Sequence, residues 1–124
     1  MKTKISLLLS FILMATISSF AQAPQRRTVE ERVKSVMEKL SVLNLDQSQT
    51  QKTDSVFVEY YKAQEKMRED ARASGERPDR SVFEKMTNDR NEKLKAIFTA
   101  DQFTKYKNEV EATLRPQRQR SQGN

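Results

Sequence analysis

From position 28 onward the apolar residues of this chain recur at steps of three and four, the spacing that gathers them on one face of an α-helix. Val29, Val33, Val36, Met37, Leu40 and Leu43 form a first stripe on an otherwise charged segment, and Asn44 breaks it. Thr28 stands just ahead of that stripe with Glu31 three residues on, the spacing of a capping box. A second stripe, Thr53, Phe57, Tyr60, Gln64, Met67 and Ala71, flanked by Val56 and Tyr61, predicts one long helix over 47–73. Gly75 closes it in the left-handed conformation. Val58 falls off the stripe and is expected at the surface. Gly75-Glu76-Arg77-Pro78-Asp79 is the one clear turn, after which Asp79 or Ser81 caps a third helix. That helix carries Val82, Phe83, Met86, Leu94 and Ile97, with Arg90 interrupting the stripe. Phe103, Tyr106, Val110 and Leu114 mark a last helix, ended by Arg115-Pro116. No segment alternates at period two. The pattern predicts an all-α protein, an elongated helical hairpin with a short flanking helix at each end.

Two places must bend. Leu45-Asp46-x-x-Gln49 and Phe98-Thr99-x-x-Gln102 each give an apolar residue, an N-cap, two spacers and a glutamine. The cap side chain accepts from the third helical amide, and the glutamine reaches back to the cap's own N–H. Phe103 lies at the fourth helical position after Thr99, placed to staple onto Phe98. These residues read as structural, with the cap dominant: Thr99→Ala is expected to cost about 0.5–2 kcal/mol, and Gln102→Ala less.

The duplicated motif resembles the signature of the Spy/CpxP-like periplasmic family, which carries LTxxQ twice. Asp46 stands for threonine in the first copy and Phe98 for leucine in the second, and both replacements keep the capping chemistry. The resemblance spans about residues 29 to 114. It implies a cradle-like helical homodimer and one of two functions. One is an ATP-independent, holdase-type chaperone that binds unfolded proteins under envelope stress. The other is a regulator that docks on the sensor domain of an envelope-stress kinase.

The start of the chain is read as a secretory signal over 1–21. Lys2 and Lys4 precede an uncharged, mostly apolar run, and Ser19-Phe20-Ala21 offers small residues for cleavage after Ala21, with Ala23 as the alternative site. An uncleaved membrane anchor is the competing reading. Export places the protein in the periplasm. Residues 22–27 then form a polar leader, 28–115 the helical domain and 116–124 a disordered basic tail without an apolar side chain. Removing the signal takes two lysines from the formal charge of +6, leaving +4. With 35% hydrophobic residues overall and no cysteine, the domain has a thin core and no disulfide, so dimerisation is expected to complete the burial.

Histidine and cysteine are both absent, which removes the commonest general base, thiol nucleophiles and the imidazole and thiolate metal ligands. The remaining carboxylate pairs, Asp101 with Glu109 and Glu65 with Glu69, stand among lysines on faces expected to be solvated. The reading is therefore no enzyme, no cofactor and no metal. A basic exported module selects acidic partners: lipid headgroups at a membrane surface or negatively charged unfolded chains, and not nucleic acid. Val58, Tyr61, Lys62 and Arg68 are the residues expected to form a client-binding surface, with Tyr61 equally well placed to pack inside the hairpin.

Overall fold

The computed structural model describes residues 26–115, all of whose regular elements are helical. The expected signal, the start of the leader and the tail lie outside the described residues.

Thr28 caps α1 (Val29–Lys39) through the expected box: its Oγ1 accepts from the Glu31 N–H at 3.2 Å, and Glu31 Oε2 accepts from the Thr28 N–H at 3.0 Å. A 3-10 turn, Leu40–Leu43, follows. Residues three apart eclipse in such a turn, so Leu40 and Leu43 both point into the core. Asn44 ends the turn at φ 50°, a left-handed position that asparagine tolerates. The helix α2 (Gln47–Ser74) has 28 residues, about 40 Å at ~1.5 Å per residue. Gly75 closes it at φ 72°, where an added Cβ would meet no atom within 4 Å; the backbone conformation, not space, calls for glycine. Asp79 is the residue that caps α3 (Arg80–Ile97), accepting from the Ser81 N–H at 3.0 Å. After the second box come α4 (Ala100–Lys105), a π turn (Tyr106–Val110) and α5 (Glu111–Leu114), which run on as one rod. Arg115 then turns extended at ψ 133°, as a residue before proline must.

The core sits at one end of the molecule, where α1, the first half of α2, the second half of α3 and the π turn meet. Phe57, Leu94, Tyr106, Leu40 and Thr53 are its most enclosed side chains. Because α1 and α3 both pack on α2, the buried arc of α2 is wider than one stripe. That corrects the expectation for Val58, which is half-buried against the core and not exposed. Val82 errs the other way: it lies on a helical stripe yet stands 45% exposed.

Beyond Gln64 the character changes. No residue in 65–89 is buried, so the distal halves of α2 and α3 project as a two-helix arm. Exposed i,i+4 pairs lace it: Lys66–Asp70 at 2.9 Å, Arg80–Glu84 at 2.8 Å and Lys85–Asp89 at 2.9 Å. Such pairs contribute only a few tenths of a kcal/mol each.

Candidate functional site

Both boxes form as spelled. Asp46 Oδ1 accepts from the Gln49 N–H at 2.7 Å and Gln49 Oε1 from the Asp46 N–H at 3.0 Å. Thr99 Oγ1 accepts from the Gln102 N–H at 3.2 Å and Gln102 Oε1 from the Thr99 N–H at 3.0 Å. The two boxes also lock together. Gln49 Nε2 donates to Gln102 Oε1 at 2.7 Å and to the Ile97 carbonyl at 3.1 Å. Gln102 Nε2 returns the bond to Gln49 Oε1 at 3.3 Å and reaches the Leu43 carbonyl at 3.2 Å. Each glutamine thus caps its own helix and satisfies a carbonyl that ends the element leading into the other box. Leu45 is half-buried against the core and Phe98 fully so. The aromatic staple is a three-ring set: Phe98 and the half-buried Phe103 both face Tyr106, at 5.9 and 6.0 Å between centroids.

An open groove of about 1160 Å³, in whose lining no residue of this clasp takes part, is lined by α1, α2 and α3 and closed by the π turn and α5. Its lining is strongly basic. Arg27, Arg32 and Lys39 come from the first helix and its approach, Arg68, Arg80 and Arg90 from the hairpin, and Lys107 and Arg115 from the last rod, against Glu84 and Glu111 alone. Tyr60, Tyr61 and Phe83 supply aromatic surface between the charges. Arg80 pairs with Glu84, and Lys39 Nζ donates to the Thr113 carbonyl at 3.1 Å, tying α1 to α5. Arg32 lies over the Tyr61 ring at 5.7 Å. Arg27 and Arg68 have no ion-pair or hydrogen-bond partner among the described residues.

A polar network sits where the groove meets the core. Arg90 is only 5% exposed and stacks over Tyr60 at 4.6 Å and, more distantly, Phe57 at 5.8 Å. Its Nε and Nη2 donate to Asn91 Oδ1 at 3.1 and 3.0 Å, and the Tyr106 hydroxyl donates to the same oxygen at 3.2 Å. Asn91 Nδ2 donates in turn to Glu111 Oε2 at 3.2 Å. The π turn makes this possible. Residues five apart stand on different faces of a regular α-helix, but here the Glu111 N–H reaches back to the Tyr106 carbonyl, and the wider turn swings both side chains toward Asn91.

Burial is the main influence on the Tyr106 hydroxyl and holds its pKa far above the ordinary 10.0; Arg90 opposes the shift, and Glu111 and the neighbouring tyrosines add to it. Burial likewise raises Tyr61, with Tyr60 adding and Arg90 and Arg32 opposing. An unfolded tyrosine loses its proton near pH 10, whereas these two keep theirs while folded. The stability they contribute is whole below pH 10 and falls as pH rises above it. Urea denaturation at about pH 9 and 11 should show the loss, with a shallower pH slope in Tyr106→Phe; equal slopes would contradict the assignment.

The residues that the sequence marks for binding divide. Tyr61 and Arg68 line the groove, and Tyr61 is half-buried and packed against the core, as its placement inside the hairpin expects. Lys62 is exposed but outside the groove lining, and Val58 faces the core. Sequence reasoning missed Arg90, Asn91, Tyr106 and Glu111 as a unit. The available signals were Arg90 breaking an apolar stripe and Gln64 lying within one. Compared with known proteins, the chain matches no family model, no curated protein and no solved structure.

Proposed function

We propose that this protein is an exported, ATP-independent chaperone of the holdase type, that the basic groove is where it captures unfolded chains, and that it works in the periplasm as a homodimer under envelope stress. The observation that carries this reading is the concave face itself: cations without acid partners among the described residues, Arg27 and Arg68, beside the half-buried rings of Tyr61 and Phe83. Spread positive charge draws acidic, unfolded segments over a range of about one Debye length, ~8 Å at physiological salt. Partly exposed rings then add contacts weak enough for release without an energy source. The resemblance carried by the duplicated motif points the same way. Dimerisation suits the arm, whose Met67, Phe83 and Met86 are only half-covered among the described residues; a second copy would complete that burial.

Arg27→Glu with Arg68→Glu should slow capture of an unfolded client about tenfold at low salt. Exposed charges contribute little to stability, so the melting temperature should hardly move. Lys62→Glu, outside the groove, should leave capture unchanged. Stopped-flow association at low and high salt, with aggregation assays on two unrelated clients, tests this. A salt-independent rate, or full anti-aggregation activity in the reversed variant, would overturn the proposal and leave saturable docking on one folded sensor domain as the reading to pursue.

A further inference from the structure

At the α5 end of the groove three cations share one carboxylate. Lys107 Nζ lies 2.7 Å and Arg115 Nη2 3.9 Å from Glu111, and Arg90 connects to the same carboxylate through the Asn91 amide. The formal charge of this cluster is +2. Glu111 is already engaged, taking bonds from Lys107 and Asn91. Arg90, a residue more than nine-tenths buried, has no acid within salt-bridge distance among the described residues, an arrangement that the Tyr60 face and the Asn91 oxygen compensate only in part. Its remaining nitrogen, Nη1, has no acceptor among the described residues. Gln64, 6% exposed, lines the same groove with an amide that makes no hydrogen bond among the described residues. Arg90 and Gln64 therefore present unpaired donors to the open groove, in a cluster whose formal charge is +2.

We propose that this end of the groove is a binding subsite for a phosphate monoester. A dianion neutralises the cluster, whereas a carboxylate or a phosphodiester supplies half the charge. Arg90 Nη1, with Lys107 and Arg115 on the same stretch of lining, supplies charged donors of the kind that hold a phosphate. Val36 and Leu114 line the groove beside it and offer an apolar wall to whatever carries the phosphate. The subsite does not depend on client holding: a protein without anti-aggregation activity that still binds the ester keeps this proposal and loses that one.

The test is a titration of the full mature chain with glycerol phosphate at constant ionic strength, followed by NMR at the Arg90 Nε–H and the Gln64 side-chain amide. Both signals should shift saturably. Affinity should rise several-fold or more between about pH 5 and 7.5, tracking the second phosphate ionisation near 6. Acetate should do far less, with no such profile. Arg115→Gln, at a side chain 79% exposed, should fold normally and weaken binding about tenfold. Arg90→Lys should abolish the pH-dependent component if it folds. Vesicles distinguish the source of the phosphate. Arg115-dependent binding to phosphatidic acid but not to phosphatidylglycerol assigns the subsite to a lipid headgroup; glycerol phosphate binding without vesicle binding assigns it to a soluble ester. Equal shifts with acetate, a flat pH profile, or unchanged affinity in Arg115→Gln would each overturn the proposal.

Discussion

Gln102→Ala is expected to lower the stability by about 2–3 kcal/mol, more than the ~1 kcal/mol typical of Thr99→Ala. This reverses the order that capping chemistry alone predicts. Thr99 contributes one cap bond, at 3.2 Å. Gln102 accepts from the Thr99 N–H, donates to the Leu43 carbonyl and exchanges two bonds with Gln49, all in a part-buried setting between the halves of the chain. Its removal strands a backbone group on each side. For a domain of this size the melting temperature should drop by roughly 10–20 °C. Because Gln49 and Gln102 share bonds, the double alanine variant should cost about 1 kcal/mol less than the sum of the singles. Urea denaturation of the four proteins measures it. Additive effects, or a Gln102→Ala cost below that of Thr99→Ala, would show that the glutamines only cap.

Asn91→Ala should cost still more, about 3–5 kcal/mol. Asn91 is half-buried, and its single amide receives the Arg90 guanidinium and the Tyr106 hydroxyl on one atom and serves Glu111 with the other. Alanine leaves a buried cation facing only an aromatic ring and a buried hydroxyl without an acceptor. Asn91→Asp separates the roles, since it keeps an acceptor for Arg90 and Tyr106 but sets a second carboxylate against Glu111. An intermediate loss is expected, measured in the same urea series. A loss under about 1 kcal/mol in Asn91→Ala, the scale of one ordinary hydrogen bond, would mean that Arg90 finds other partners and that the network is not cooperative.

The helices and their caps were legible because their chemistry is local. A cap and its glutamine stand three residues apart, so spacing alone fixes the bond, and the stripe on α1 names its buried residues almost one for one. The Gln49–Gln102 pair was not legible, because spacing within each box says nothing about which face of one box meets the other. Val58 was misplaced for a related reason: periodicity reads one helix at a time, and a helix packed on two sides buries more than its stripe. The groove was half-legible. Its positive charge follows from composition, and Tyr61 and Arg68, marked in the sequence, stand in its lining. Arg90 looked like an interruption, and its burial depends on rings contributed by another helix.

The π turn has a consequence for how this segment can be compared with any other. Such a turn holds one more residue than a regular turn of α-helix. Counting forward from the second box, every residue after Val110 is one place out of step with an uninterrupted α-helix. The apolar positions conceal this, since Phe103, Tyr106, Val110 and Leu114 still read as steps of three and four. A homologous chain lacking the additional residue would keep its capping box and its stripe but turn Glu111 away from Asn91. The wider turn and the polar cluster at the groove end therefore stand or fall together, and aligning 106–110 without a gap to a chain that lacks the wider turn would pair Glu111 with the wrong residue.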